Sequence, residues 1–192
     1  MTEEFFLPNV SLDVYVKMNR PFYPNFSQEV LERCLQDFEL PLSLNLNELS
    51  MGQKKKAYMS FALATGTKYL FMDEPTNGLD IPSKSQFRKV IANNMTDERM
   101  LIISTHQVHD IESLLDHIII LNQNNLLLDA SVADICEDYS FEYRTPAEMD
   151  DTVLYAEPTL QGNAVIAKRK AGSRETQMNL ELLFNAAING KL

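Results

Sequence analysis

Three short stretches of this 192-residue chain carry side chains that could do chemistry. The first is LSMGQ, Leu49 to Gln53, followed by Lys54, Lys55 and Lys56. Ser50 and Gln53 form an S-x-x-Q capping box, so a helix is expected to start here. A helix start presents free N–H groups and partial positive charge, which attract phosphate. Gly52 permits close backbone approach, Ser50 offers a hydroxyl, and the three lysines raise the local potential. The plainer alternative is an ordinary capped helix with a solvated basic face.

The second stretch is YLFMDEPTNGLD, Tyr69 to Asp80. An apolar strand ending in two acids places charge at a sheet rim, where ligands of open α/β sheets bind. Asp73 is a candidate magnesium ligand through water, because magnesium prefers oxygen and keeps much of its hydration. Glu74 is a candidate base for deprotonating a water. Pro75 ends the strand, and Gly78 allows a tight turn that aims Asp80. The third stretch is STHQ, Ser104 to Gln107, again closing an apolar strand. His106 there could bond a phosphate oxygen and an attacking water. His109 and His117 read as surface residues.

The elements that must position these groups follow from periodicity. Residues 1–26 read as irregular, with Pro8, Pro21 and Pro24 punctuating aromatics. Ser27 caps a helix carrying Val30, Leu31, Cys34, Leu35 and Phe38 on one face. Strands are expected at Tyr69–Met72, Met100–Ser104, His117–Leu121 and Leu126–Leu128, with a turn over Asn122–Asn125. Helices are expected over Ser83–Asn93 and Val108–Leu115. Strands alternating with helices imply a parallel sheet with crossovers. From about Phe141 the pattern changes: strands Thr152–Ala156 and Ala164–Arg169 precede a helix bearing Leu180, Leu183, Phe184, Ala187 and Ile188.

Composition sets limits. Apolar residues make up 45% of the chain, enough for a proper core. A formal charge of −10 disfavours a general nucleic-acid role. The Lys168–Arg169–Lys170 cluster reads as a solvated strand end. Cys34 and Cys136 suggest neither zinc nor a disulfide framework, and read as small core residues. No signal peptide and no run of about 20 apolar residues is seen, so a cytoplasmic protein is expected.

The order and intervals of the three stretches resemble those of the ABC ATPases. LSMGQ is similar to that family's LSGGQ signature, with Met51 in place of a glycine. LFMDE resembles its Walker B strand, NGLD its D-loop, and His106 its switch histidine. The resemblance covers about residues 1–140. It implies an α/β, partial P-loop NTPase fold with a mostly parallel sheet. A helical subdomain would span about 5–65 and catalytic-core strands about 66–140. Residues 141–192 would form a small C-terminal α+β extension. Phe5 to Leu49 would meet a membrane subunit, and the run PFYPNFSQEV resembles export-type members.

The resemblance further implies an ATPase using ATP and Mg2+ in a head-to-tail dimer of homologous or identical subunits. In it Ser50, Gly52 and Gln53 grip the partner's nucleotide, and Asp80 crosses the interface. Asp73 holds magnesium through water, while Glu74 and His106 are catalytic. A permease subunit and a site at the inner face of the cell membrane complete the expected setting, with no nucleic acid. One part of the family pattern is missing: no G-x-x-x-x-G-K-[ST] occurs in the chain. The chain is therefore expected to be truncated at its N-terminus before the Q-loop, whose residue would fall at Thr2, Glu3 or Glu4, and to be inactive alone. Two alternatives stand beside this: a non-transport ABC ATPase, and a non-catalytic half-domain supplying its signature helix in trans. No sustained heptads and no basic linker speak for the first.

Overall fold

A computed structural model of the chain describes residues 1, 2, 5–170 and 172–192; the Q-loop candidates Glu3 and Glu4 lie outside them. Two compact units are resolved, Met1–Leu114 and Leu115–Leu192.

In the first unit the caps expected from sequence close as hydrogen bonds. Ser27 accepts from the Val30 N–H at 3.2 Å and starts α2, Gln28–Asp37. Ser50 and Gln53 close their capping box and start α3, Met51–Ala64. The second half of α3 is buried nearly all round, from Met59 to Ala64, as befits a helix at the centre of its unit. Phe61, on this helix, is ringed by Tyr15, Tyr23 and Phe26, with centroids 5.2–5.7 Å away. Edge and tilted geometries of this kind suit the aromatic quadrupole. Three of the aromatics of residues 1–26, Tyr15, Tyr23 and Phe26, thus pack against α3, while Phe6 and Phe22 are exposed.

That region also contains a helix, α1, Leu12–Asn19, where an irregular segment was expected. Leu12 and Val16 are buried on one face, four residues apart. This is a single i, i+4 pair, too short to give a periodic signal among three prolines. A 3-10 turn at Arg20–Phe22, with Pro21 in it, ends the helix.

After α3 the chain enters β1, Tyr69–Asp73, crosses through α4, Ile81–Asn94, and returns as β2, Met100–Ser104. The strands are parallel, with Tyr69 opposite Met100 and Asp73 opposite Ser104. Leu70 and Met72 are buried, while Tyr69, Phe71, Met100 and Ile102 leave one face of the pair bare. Arg99 braces the approach to β2. Its guanidinium donates to Leu63 O at 2.9 Å, Thr67 O at 3.3 Å and Asn94 O at 3.4 Å, joining the C-terminal ends of α3 and α4. A cation there complements the helix dipoles. The helix expected over Val108–Leu115 is instead two 3-10 turns, Val108–Asp110 and Glu112–Leu114. Arg88 captures the carbonyl of Asp110 at 3.3 Å, and Lys84 pairs with its carboxylate at 2.8 Å. Those anchors to α4 replace α-helical bonds.

The second unit is antiparallel. β3, His117–Asn122, and β4, Asn125–Ser131, form a hairpin, with Gln123 at φ 53° in the turn. A short helix not anticipated from sequence, α5, Val132–Asp138, starts at Ser131, whose hydroxyl accepts from Asp134 N–H at 3.0 Å. β5, Tyr139–Arg144, β6, Val153–Thr159, and β7, Gly162–Lys168, form a sheet in the order β5-β7-β6. Gly162, at φ 126°, is required in the β6–β7 turn: a Cβ there would lie 2.9 Å from Arg144 O. The terminal helix α6, Leu180–Ile188, begins at Asn179 and buries Leu180, Leu182, Leu183, Ala186 and Ala187. Its Asn185 reaches Glu157 of β6 at 2.9 Å. The basic cluster is only partly a solvated strand end. Arg169 donates to Cys136 O at 2.8 Å and Ser173 O at 3.0 Å. Both cysteines are buried and unbridged, as expected. The fold is α/β.

Candidate functional site

The register of β1 and β2 brings two of the three motifs together. Because Asp73 lies opposite Ser104, the residues just beyond both strands meet at one rim. Ser104 Oγ donates to Asp73 Oδ1 at 2.6 Å. Glu74 follows, its N–H bonded to Ser104 O at 2.8 Å. The Glu74 carboxylate makes three contacts with the end of the second strand. Thr105 Oγ1 reaches Oε2 at 2.8 Å, the His106 N–H reaches Oε1 at 2.9 Å, and the ring Nδ1 of His106 lies 2.7 Å from Oε1.

Partial burial pushes the Glu74 carboxyl upward. The hydrogen bonds from His106 and Thr105 outweigh that and hold it below the ordinary carboxylate range. Glu74 is therefore ionised at neutral pH and faces a histidine that is itself exposed to solvent. Its backbone sits at φ 43°, a left-handed conformation that costs a non-glycine residue about 1–3 kcal/mol. The following turn closes with Asn77 N–H on Glu74 O at 3.2 Å and Leu79 N–H on Thr76 O at 3.1 Å. Thr76 is wholly buried in it.

The signature stretch lies at the exposed start of α3. Gln53 N–H donates to Ser50 Oγ at 3.3 Å, and Ser50 N–H to Gln53 Oε1 at 3.0 Å. Both side chains thus cap their own helix. The Gly52 position lies close to the D-loop stretch: a Cβ there would be 3.6 Å from Leu79 Cδ2 and 3.7 Å from Gly78 O, in ordinary contact. Asp80 caps α4, accepting from Ser83 N–H at 2.9 Å, and its carboxyl is held low first by the Ser83 side chain and then by that N–H.

The three lysines after the signature do not share one solvated face. Lys55 is 3% exposed, and its ammonium donates to Glu74 O at 3.0 Å and Asn77 O at 2.7 Å. Lys56 donates to Gln86 Oε1 at 2.7 Å. A second chain of contacts supports the rim: Lys84 donates to Gln107 Oε1 at 3.0 Å, and Gln107 Nε2 to Asn77 Oδ1 at 3.4 Å. Thr105, Lys55, Asn77 and Lys84 were not singled out individually from sequence. For Thr105 a signal existed, a hydroxyl directly before His106 at a strand end. His117 pairs with Asp129 at 2.7 Å in the hairpin, a surface role as expected.

The rim suits magnesium held mainly by water and phosphate. Asp73 is exposed, with Glu74 beside it, and among the described residues no three His, Cys, Asp or Glu converge on a point. Magnesium typically takes one or two carboxylates and completes its shell with water and substrate oxygens. Among the described residues no helix is long and apolar enough to cross a membrane.

No family model matches the chain. Individual proteins do. The zinc uptake system ATP-binding protein ZurA of Listeria innocua is 30% identical over 110 residues, 56% of this chain and 42% of that protein. A putative ABC transporter ATP-binding protein of Mycoplasma genitalium is 34% identical over 117 residues, 61% of this chain and 32% of that one. The ABC transporter ATP-binding protein YtrB of Bacillus subtilis is 25% identical over 125 residues, 65% of this chain and 43% of that one. The chain thus spans less than half the length of these relatives. Among solved structures, an ATP-binding subunit of an ABC transporter superposes with a TM-score of 0.60 at 23% identity, over 69% of this chain and 58% of that one. A putative cobalt transport ATP-binding protein gives a TM-score of 0.60 at 19% identity, over 97% of this chain and 68% of that one. Over these stretches of sequence, and in fold, this chain is similar to the ATP-binding proteins of ABC transporters.

Proposed function

We propose that the chain is the signature-and-Walker-B part of an ATP-hydrolysing subunit that drives an ABC transporter. The observation that carries this reading is the Glu74 carboxylate, ionised and gathered with Thr105 and His106 at the C-terminal rim of a parallel strand pair. Glu74 takes the proton of a water whose oxygen attacks the γ-phosphorus of ATP, and the bond to the β-phosphate oxygen breaks to release ADP and phosphate. His106 stabilises charge on the transferred group, the main task in phosphoryl transfer. Asp73 would hold magnesium through water, and the ion would offset phosphate charge.

The nucleotide served by Asp73 and Glu74 requires a P-loop, and no G-x-x-x-x-G-K-[ST] lies in this sequence. Ser50, Gly52 and Gln53, at the free tip of α3, serve the nucleotide of a second ATPase subunit, homologous or identical, and Asp80 links the two sites. Residues 1–140 are the ATPase part, with a helical subdomain over about 5–65 that meets a permease. Residues 141–192 are an extension. The subunit sits at the inner face of the cell membrane through that permease. Relatives named for zinc uptake and cobalt transport support the transporter setting.

The test is a polypeptide carrying this chain behind a P-loop segment from one of the relatives, assayed for phosphate release with and without Glu74→Gln. Loss of turnover with a stable ATP-bound dimer supports the reading. Unaltered turnover removes Glu74 as the base.

A further inference from the structure

Lys55 is the most buried cation of the first unit, 3% exposed, and lies about one and a half turns into α3. Removing an ammonium from water is costly unless it gains strong partners. Two of its bonds go to main-chain carbonyls of one turn, Glu74 O at 3.0 Å and Asn77 O at 2.7 Å. That turn starts at Glu74, a non-glycine residue with a left-handed backbone.

We infer that Lys55 is a positioning residue: its ammonium pins the Glu74–Asn77 turn to α3 and so keeps the Glu74 carboxylate seated on Thr105 and His106. The inference deepens the reading of Glu74 as the base and rests on it for its functional meaning. Three facts make the pin specific. Glu74 O already accepts the turn's closing bond from Asn77 N–H at 3.2 Å, so the ammonium fills its second lone pair and stiffens both ends of the turn together. The left-handed backbone of Glu74 needs surroundings that over-determine it. The side chain it aims then makes a bond whose direction is readable, since Oε1 accepts from the His106 main-chain N–H and so calls for the proton on ring Nδ1.

The readout is the His106 tautomer, from long-range proton–nitrogen spectra of the chain itself at about pH 8.5, above the ordinary imidazole titration. The wild-type chain is expected to hold the Nδ1–H form. Lys55→Met should return His106 to the Nε2–H form that free imidazole side chains prefer, and speed exchange of the Asn77 amide by roughly tenfold or more. Lys55→Arg, which keeps a charged donor, should restore both signals. Lys56→Met, the same change one residue along the helix, should alter neither. A folded Lys55→Met chain that keeps the Nδ1–H form overturns the inference. So does loss of that form in Lys56→Met, or its absence from the wild type. If Lys55→Met does not fold, Lys55→Gln takes its place, and an undiminished Nδ1–H form there is equally fatal. No nucleotide enters this measurement, so it stands or falls separately from the turnover of Glu74→Gln.

Discussion

Glu74 and His106 lie 32 residues apart in the chain, yet one carboxylate oxygen of Glu74 receives both the main-chain N–H and the ring Nδ1 of His106, at 2.9 and 2.7 Å. Two strands in parallel register make this possible, because each motif lies just past the end of its strand. The contact has a measurable consequence. Glu74 is held below the usual carboxylate range against the opposing push of burial. Its folded value is therefore depressed, and the stability it contributes is present above the unfolded value and fades as pH falls. His106→Ala removes the ring contact and leaves the main-chain one. Carbon NMR of the side-chain carboxyl should show the Glu74 midpoint moving up part of the way towards its ordinary value of 4.5.

The isolated chain should bind MgATP weakly. Charge-assisted bonds contribute about 1.5–3 kcal/mol each, and a P-loop supplies several that this sequence does not contain. Isothermal titration should give no saturation at micromolar nucleotide. Micromolar affinity would mean that the phosphates are held by groups other than a P-loop.

The aromatic cluster around Phe61 predicts a large loss. Phe61 is 3% exposed and touches three rings from the segment before α2. Phe61→Ala should cost about 3–5 kcal/mol in denaturant unfolding. A loss under about 1 kcal/mol would show that the rings before α2 repack without it.

Acid should act on the second unit through Asp150. Its carboxyl is held down to about 2, by the Thr152 hydroxyl most of all, then by the Thr152 N–H and by Arg144, whose guanidinium lies 2.9 Å away. A depressed carboxyl contributes stability above its unfolded value of 3.8 that is lost as pH falls towards 2. Asp150→Asn should flatten the decline in melting temperature between those values, with little effect at pH about 7 beyond the missing ion pair.

Cys34 should be slow towards thiol reagents in the folded chain. Burial pushes its thiol up to about 11, and the thiolate is the reactive form. Modification should track unfolding. Rapid labelling at neutral pH would place Cys34 outside the core.

The helix caps at Ser27 and Ser50 and the two strands ending in DE and STHQ could be read from residues alone, because each rests on local chemistry. The left-out parts depend on neighbours. α1 has one buried pair, Leu12 and Val16, and its Tyr15 packs on Phe61 of α3. Three consecutive lysines read as a solvated run, and only the turn arriving from β1 makes Lys55 different from Lys54. Asp80 was expected to aim across an interface, and within the chain its carboxylate caps α4. That bond is local and was legible from the D-x-x-S spacing. The 3-10 turns after Gln107 follow from Lys84 and Arg88, more than 20 residues upstream.

The bare side of the strand pair carries a further implication. Tyr69, Phe71, Met100 and Ile102 form an oily stripe on parallel strands, with Phe71 60% exposed. Parallel strands normally have both sides covered. In dilute buffer such a stripe should light up environment-sensitive dyes and draw molecules into clumps as concentration rises, and a covering polypeptide made alongside the chain should keep it dispersed.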